Sequence, residues 1–367
     1  MHMIGHLCCS QLIRQFLSIR SRRGLTSALG LGLTMALFVF AKPTVGQTYV
    51  IFDAQPQPSD TRPVSINQLG YIVGRTASPQ GHIGFVRDPA GNSSLFSVNG
   101  ATTEPSGIND NGQVVGTCFD CGRGDSNKHG FLRDADGTIT VFDPPDALNT
   151  TPPLGINNRG QIIGQYQTTS NQVQGFIRGA DGSFTILDHA PLPCTGAPLP
   201  FAINNVGEVL GTCSEGPFRP VHGLVLDAQG NFTIFDPPGS AGANLRILAP
   251  DMDINASGQV TSCFLDSSNN YHCFVRDQQG NFSIFDLPGT QPAARSISDT
   301  GAVTGVFYSG GWRGFLRDNQ GNLTFFDVPQ QTTTEPFTMN NSGVIAGWCT
   351  DSNSNPPRGF VRIPPQP

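Results

Sequence analysis

The chain has 367 residues, of which 21 are Lys or Arg and 27 are Asp or Glu, so its formal net charge at pH 7 is −6. This balance excludes a nucleic-acid partner, because a phosphate backbone needs a basic stripe and the only lysines are Lys42 and Lys128. The 44 Gly, 29 Pro and 25 Phe favour many short strands joined by tight turns.

The first 46 residues have the layout of an export leader, a signal peptide. Four arginines precede an uncharged apolar run at residues 25–41. Secretion through the general pathway is the first interpretation, although residues 21–25 also resemble a twin-arginine signal. A retained anchor is the weaker alternative, because the run is marginal in length for a membrane span. We expect a secreted, extracellular or periplasmic protein with no membrane span after processing. Its net charge falls by five to −11 through the loss of Arg14, Arg20, Arg22, Arg23 and Lys42.

One phrase, Ile-Asn-x-x-Gly followed by apolar residues, recurs seven times after the leader. The glycines of successive copies are 42–51 residues apart, which is the spacing of four-stranded propeller blades. The copies begin at Ile66, Ile108, Ile156, Ile203, Ile254, Ile297 (as Ile-Ser) and Met339 (as Met-Asn).

A second phrase follows each copy and indicates two further strands. In its clearest form, Gly-Phe-Leu-Arg-Asp at residues 130–134 leads through a turn into residues 138–144. Ile139 and Val141 lie on one side of that last strand and Phe142 on the other, so neither side is reserved for water. A sheet that is apolar on both sides needs two neighbours, which a ring of blades supplies.

The two ends of the chain complement one another. The seventh unit stops at residues 359–363 without a last strand, whereas residues 48–53 form an isolated strand before the first unit. Pairing these segments closes a ring and removes exposed sheet edges. The sequence therefore predicts an all-β fold in one domain over residues 47–367. The fold is a seven-bladed β-propeller of four-stranded antiparallel blades, closed by pairing of the N- and C-terminal strands, with six or eight blades as alternatives.

Seven cysteines follow the leader, and an exported chain is able to oxidise them. We predict a disulfide between Cys263 and Cys273, another between Cys194 and Cys213, and a local one between Cys118 and Cys121, which leaves Cys349 over. A metal site at Cys118, Cys121 and His129 is the alternative, but a lone Cys-x-x-Cys supplies too few ligands. We therefore predict no metal ligand and no cofactor.

Taken together, the motifs resemble a known family. The Gly-Ile-Asn-x-x-Gly phrase, the His-Gly-Phe-Leu-Arg segment at residues 129–133 and the Phe-Asp-x-Pro end are similar to the probable extracellular repeats of the HAF family of bacterial exported proteins. The resemblance covers residues 48–363. It departs at Gly130 and Gly223, where the family has Ala, and in an Arg where the family often has Trp. What it implies is export and a propeller-like repeat fold, with no catalytic residue.

Residues that recur in every copy are expected to build the scaffold. The two recurring aspartates of each unit, one in the turn after Gly-Phe and one at the Phe-Asp end, are therefore predicted to serve turns and caps. The polar residue before Gly-Phe varies, and for it we favour hydrogen bonds to neighbouring backbone over a ligand-binding ring of histidines. Its copies are His129, Gln174, His222, His272, Arg313 and Arg358.

Binding residues are better sought where the copies disagree. Trp312 and Trp348 are the only tryptophans, and with Tyr308 they are the candidate ligand-binding residues, because an exposed aromatic platform suits a sugar or a protein hot spot. The alternative is that both tryptophans fill gaps between blades. No catalytic residue is predicted, since the chain has no Gly-x-Ser-x-Gly, phosphate-binding loop or His-Glu-x-x-His motif.

The expected function is that of an exported, non-catalytic binding or structural module. Its expected partner is a carbohydrate or an extracellular or envelope protein. The alternative is a propeller-borne hydrolase or lyase acting on envelope or extracellular polysaccharide. Carboxylates that converge at one mouth of the central channel would favour the enzyme, whereas a bare channel with an aromatic patch would favour binding.

Overall fold

The computed structural model describes residues 46–57, 59–79, 81–121, 127–216, 221–240, 251–353 and 356–365. They belong to one compact unit, Val45–Pro367. The predicted leader lies outside the described residues apart from Gly46, so the signal peptide stays a prediction. Within the described ranges, no helix has the length and apolar character needed to cross a membrane.

The described residues form 28 strands, four to a blade. The first, β1, is Thr48–Phe52. Blade 1 contains β2 (Thr61–Ile66), β3 (Ile72–Ser78), β4 (Gly81–Arg87) and β5 (Ser93–Phe96). Blade 2 contains β6 (Thr102–Ile108), β7 (Val114–Phe119), β8 (Lys128–Arg133) and β9 (Ile139–Phe142). Blade 3 contains β10 (Ala147–Ile156), β11 (Ile162–Thr168), β12 (Val173–Arg178) and β13 (Phe184–Leu187). Blade 4 contains β14 (Leu199–Ile203), β15 (Val209–Ser214), β16 (Val221–Leu226) and β17 (Phe232–Phe235). Blade 5 contains β18 (Met252–Ile254), β19 (Val260–Leu265), β20 (Tyr271–Arg276) and β21 (Phe282–Phe285). Blade 6 contains β22 (Thr290–Ile297), β23 (Val303–Tyr308), β24 (Trp312–Arg317) and β25 (Leu323–Phe326). Blade 7 contains β26 (Thr333–Met339), β27 (Ile345–Thr350), β28 (Arg358–Ile363) and β1.

Each blade is an antiparallel sheet, and the seventh is completed by the N-terminal strand. In blade 7 the order is β26, β27, β28 and β1, with Thr48 opposite Ile363 and Phe52 opposite Gly359. The innermost strands β2, β6, β10, β14, β18, β22 and β26 contact one another in turn, and β26 returns to β2. The predicted seven-bladed propeller and its closure are therefore confirmed.

The hydrophobic core lies between neighbouring blades. In one cluster, Phe52 and Val361 of blade 7 pack with Ile66, Ile72 and Phe85 of blade 1. Phe85 is fully buried. A single blade would expose both of these apolar faces, so the ring is what buries them.

The recurring arginine of Gly-Phe-x-Arg joins six of the seven blades to the blade before it. The guanidinium carbon of Arg87 lies 4.6 Å from the ring centroid of Phe52, on the outer strand of the preceding blade. Blade 4 has Leu226 at this position, and blade 3 ends in Leu187, so an apolar contact replaces the stack. The other stacked pairs are Arg133–Phe96, Arg178–Phe142, Arg276–Phe235, Arg317–Phe285 and Arg362–Phe326.

The Ile-Asn-x-x-Gly phrase builds a turn after each innermost strand and ties that turn to the next blade. The side-chain oxygen of Asn67 accepts a hydrogen bond from the backbone N–H of Tyr71 at 2.9 Å. Its Nδ2 donates to the carbonyl oxygen of Asn109 at 3.0 Å. Gly70, with a φ of 84°, takes the left-handed conformation that the turn requires. We call the residues at this position the asparagine ring: Asn67, Asn109, Asn157, Asn204, Asn255, Ser298 and Asn340.

The polar residue before Gly-Phe pairs with a side chain, so the backbone partner favoured from the sequence was wrong. His272 Nδ1 lies 2.6 Å from Asp286, and Arg313 Nη2 lies 2.7 Å from Asp327. Both aspartates directly follow the outer strand of the same blade. These contacts, and the backbone N–H that Asn92 donates to Asp88 at 2.8 Å in a turn, support the structural role predicted for the recurring aspartates.

All three predicted disulfides are present, joining Cys118 to Cys121, Cys194 to Cys213 and Cys263 to Cys273. Both sulfur atoms of the alternative metal site are thus bonded to each other. Cys349 is the free cysteine of the described residues, and burial raises the pKa of its thiol to about 12. The disulfides indicate an oxidising compartment, extracellular or periplasmic.

Candidate ligand-binding site

Two cavities lie along the central channel. The larger, which we call the channel cavity, has a volume of about 620 Å³ and lies along the middle and C-terminal parts of the innermost strands. The smaller has a volume of about 200 Å³ and lies at the asparagine ring, at the C-terminal ends of the same strands and in the turns that follow them. A cavity of several hundred cubic ångströms is in the range of small-ligand sites.

β-Bulges place one residue of most innermost strands against the channel cavity. In β2 the register shifts between Pro63 and Ser65, which leaves Val64 unpaired. A bulge of this kind changes the direction of a side chain and is common beside functional sites. In β18 the pairing has no shift, and Asp253 lines the cavity there. The bulged residues that line the cavity are Val64, Ser106, Leu154, Phe201, Arg295 and Phe337.

Charged side chains gather at the channel cavity from the position two residues before the bulge. This position holds Arg62 in blade 1, Glu104 in blade 2 and Glu335 in blade 7, and Asp251 has the equivalent place in blade 5. Arg75, directly opposite Arg62 in the pairing of β2 with β3, also lines the cavity. Because the residue type differs from blade to blade, the fold itself does not demand these charges.

Glu104 receives two partners from blade 1. Arg75 Nη1 donates to Glu104 Oε1 at 2.6 Å, and His82 Nδ1 lies 3.0 Å from the same oxygen. The carboxylate is therefore held by an adjacent cation and an imidazole, an arrangement that fixes its position.

Arg62 lies over the ring of Trp348, with its guanidinium carbon 4.7 Å from the ring centroid. Its Nε donates to Asp60 Oδ1 at 2.7 Å. Its two terminal nitrogens make no hydrogen bond with any described residue, and its side chain is 32% exposed. Since Trp348 belongs to blade 7, the stack also spans the boundary at which the ring closes.

Arg295 holds two further carboxylates. Its Nε donates to Asp251 Oδ1 at 2.9 Å, and its Nη1 lies 3.5 Å from Glu335 Oε2. The guanidinium stacks on Phe337 at 4.8 Å. Burial raises the pKa of both Asp251 and Glu335, and Arg295 offsets this only in part.

Asp253 lines both cavities. Its carboxylate oxygens accept hydrogen bonds from the backbone N–H groups of Ile254 and Ile297, each at 2.9 Å. Burial nevertheless raises the pKa of Asp253 to about 6. Its charge therefore changes within a unit or so of neutral pH.

The wall of the channel cavity that blades 3 and 4 contribute is apolar. Small residues, Gly155 and Ala202, lie between its larger members. We call this surface the apolar wall, and its larger members are Leu154, Ile156, Phe201 and Ile203. In a ring of seven it faces blade 7, which contributes Glu335, so the cavity has an apolar side and a charged side.

The structure separates the three residues predicted from the sequence to bind ligand. Trp348 lines the channel cavity. Tyr308 and Trp312 stack on each other at 5.6 Å at the hairpin between β23 and β24 and do not line that cavity. Their role in binding stays a prediction.

Sequence reasoning missed the charged residues of the cavity, although a signal was present. Arg62, Glu104 and Glu335 each precede a proline that recurs in the innermost strands. The proline repeats while its predecessor changes, which is the contrast expected of a scaffold position beside a functional one.

Fold and site together define a closed β-propeller with a charged cavity at one end of its channel. No protein-family model matches the chain, and no curated protein sequence matches it. Among solved structures it is similar to a streptogramin B lyase, with 12% identity over 88% of this chain and 99% of that chain and a TM-score of 0.56. It is also similar to the virginiamycin B lyase of Staphylococcus aureus, with 13% identity over 87% and 100% of the two chains and a TM-score of 0.57. The acylaminoacyl peptidase of Pyrococcus horikoshii gives 8% identity, 85% and 52% coverage and a TM-score of 0.57. At these identities the likeness shows the propeller fold alone.

Proposed function

We propose that this protein is an exported, non-catalytic propeller that binds a ligand in its channel cavity. The observation that carries the proposal is the convergence of residues that the fold does not demand. Arg62, Arg75, Glu104, Glu335 and Trp348 line a cavity of about 620 Å³ at positions where the blades differ. Placing charged groups together where they are partly desolvated raises the free energy of the folded state. Such a cluster therefore favours a role in binding or chemistry.

The pairing of Glu104, Asp251 and Glu335 with arginines favours binding over catalysis. Glu104 is held by Arg75, and Glu335 and Asp251 are held by Arg295. A general acid or a nucleophile needs a carboxyl group with access to the substrate, whereas paired charges serve orientation and recognition.

Export belongs to the same proposal. The oxidised cysteine pairs support it, as does the signal-peptide layout of the first 46 residues. We also propose membership of the HAF family, supported by the recurrence of its motifs over residues 48–363.

The test is a screen of the purified protein against glycan and peptide arrays, with mass spectrometry of the same wells for products. Trp348→Leu is compared with Trp312→Leu, which is the same change outside the cavity. We expect binding without turnover, weakened about tenfold or more by Trp348→Leu and unchanged by Trp312→Leu. Absence of binding, or binding that both variants retain in full, would reject the channel cavity as the site.

A hydrolase or lyase acting on extracellular polysaccharide is the second candidate. The observation in its favour is the contact of His82 with Glu104, because a carboxylate beside Nδ1 orients an imidazole whose Nε2 then serves as a base. The same screen decides between the two. Products that disappear in His82→Gln would establish the enzyme, and binding without products would exclude it for the polysaccharides on the array.

A further inference from the structure

The channel cavity contains a pair of like charges. Arg62 and Arg75 are direct partners in the antiparallel pairing of β2 with β3, so their side chains leave the sheet on the same face. Like charges placed directly opposite each other destabilise a sheet. Arg62 leans onto Trp348 and Arg75 onto Glu104, and both line the cavity. Asp60 and Glu104 each bind one of the two arginines, and an anion in the cavity would add to this compensation.

Arg62 has the donors that such an anion needs. Its Nε is taken by Asp60, and its ring-facing side is taken by Trp348, while both terminal nitrogens make no hydrogen bond with the described residues. The carboxylates of the cavity already have partners, since Glu104 binds Arg75, Glu335 lies beside Arg295 and Asp253 accepts two backbone N–H groups. The two terminal nitrogens of Arg62 therefore lack a hydrogen-bond acceptor among the described residues. A carboxylate, which accepts two parallel N–H bonds from a guanidinium group, matches that geometry.

The apolar wall restricts what can carry this carboxylate. Leu154, Phe201 and their neighbours offer no hydrogen-bonding side chain, so a saccharide held against them would leave hydroxyl groups without partners. The face of Trp348 that Arg62 covers is likewise closed to a sugar ring. A large apolar side chain has no hydroxyl groups to leave without partners and does not need the covered face of Trp348.

We infer that the ligand is a peptide segment in which a carboxylate lies next to a large apolar side chain. The carboxylate binds Arg62 beside Arg75, and the side chain packs on the apolar wall. A chain terminus and an acidic side chain both supply such a carboxylate. The peptide assignment rests on the proposed function, because it takes the channel cavity as the binding site.

Fluorescence of Trp348 provides the test. In the Trp312→Phe background it is the single tryptophan, and it lies against Arg62. The probe is N-acetyl-Ala-Phe with a free carboxylate, compared with its C-terminal amide, with N-acetyl-Ala-Ala as the free acid, and with N-acetyl-Asp-Phe amide. We expect a saturable change with the first probe, and about tenfold weaker binding of the amide and of the alanine peptide. If N-acetyl-Asp-Phe amide binds, the carboxylate comes from an acidic side chain. If it does not bind while the free acid does, the carboxylate comes from a chain terminus.

Substitutions locate the contact. Arg62→Gln and Arg75→Gln are expected to weaken binding of the free acid about tenfold, and Arg62→Lys is expected to retain part of the affinity because it keeps the charge. Arg313→Gln is the matched control, since Arg313 pairs with Asp327 and does not line the cavity. Thermal unfolding of each variant, followed in parallel, identifies any that fail to fold.

The outcomes separate the two proposals. Equal binding of acid and amide, or undiminished binding by Arg62→Gln, overturns the carboxylate assignment and leaves the cavity as a binding site. A glycan that changes the fluorescence while all peptides are silent also overturns the peptide and keeps the proposed function. No response to any peptide or glycan removes both.

Discussion

The two ends of the channel are built from the same seven strands, yet they differ in how far the blades agree. At the asparagine ring, almost every blade supplies Asn, and each amide spans to the next blade. At the channel cavity, the position two residues before the bulge differs between blades, and it or its equivalent holds Arg62, Glu104, Asp251 and Glu335. The asparagine ring ties neighbouring blades together, and six of the seven blades use the same amide contact for it. The charged residues of the cavity also join blades, as Arg75 joins Glu104, but their types differ from blade to blade, which is what the proposed recognition of a ligand predicts.

The largest effect is expected for a glycine on which six blades agree, the exception being blade 5, which has Ser262. A Cβ at Gly305 would lie 1.9 Å from the carbonyl oxygen of Ala293, a backbone atom of the adjacent strand. Gly305→Ala should therefore lower the free energy of unfolding by about 3 kcal/mol or more, measured by chemical denaturation. The control is Gly107→Ala at the cavity, where the nearest atom is 3.5 Å away and a change within about 1 kcal/mol is expected. Similar losses in both would contradict the contrast between positions that repeat and positions that vary.

The next effect concerns the asparagine ring itself. Asn109 is buried, donates to the carbonyl oxygen of Asn157 at 3.0 Å and accepts the backbone N–H of Gln113 at 2.9 Å. Asn109→Ala should cost about 2–3 kcal/mol because buried partners lose their hydrogen bonds. Asn92→Ala, in an exposed turn, is the control and should cost less than about 1 kcal/mol. Ligand affinity at the cavity should not change, and a loss of affinity in a folded Asn109→Ala protein would show that the two ends are coupled.

Asp253 lies between the two ends and links stability to pH. Its pKa in the folded protein, about 6, is above its ordinary value of 3.8, so the folded state binds the proton more tightly than the unfolded state. The free energy of unfolding should therefore decrease as the pH rises from about 4 to about 6, and then level off. Asp253→Asn imitates the protonated carboxyl group. It should match the wild type near pH 4 and exceed it by about 2 kcal/mol near pH 8. Denaturation curves at the two pH values measure this, and a variant that is less stable near pH 8 would show that the ionised carboxylate is favoured.

The smallest effect is expected away from both ends. Arg313 and Asp327 form an ion pair of 2.7 Å in which both side chains are at least 40% exposed. Arg313→Gln should change the free energy of unfolding by less than about 1 kcal/mol, and by less still at high salt. Thermal unfolding at low and high ionic strength checks this. A larger loss would mean that the outer strand of blade 6 depends on this pair, and would disqualify Arg313→Gln as a binding control.

Much of the scaffold was predictable because it repeats. The turn at Gly70, the closure of β1 on β28 and the disulfide of Cys263 with Cys273 all follow from spacing and from the order of motifs. The partner of the residue before Gly-Phe was not predictable, because Asp286 is 14 residues from His272 and only the antiparallel pairing of β20 with β21 brings them together. The candidate site was largely missed for a similar reason. Arg62 lies in the first repeat and Trp348 in the seventh, and they are in contact only because blade 7 packs against blade 1.

By itself, the sequence determined the architecture: seven units, four strands in each, a closed ring and three disulfides. These follow from the order and spacing of the repeats and from local backbone rules. Only the tertiary structure decided which variable residues share a cavity. The bulges that present Val64 or Arg295 to the channel, the stack of Arg62 on Trp348 and the burial that raises the pKa of Asp253 depend on neighbours from other blades. The proposed recognition at the channel therefore depends on the assembled ring, because residues of all seven blades line the cavity.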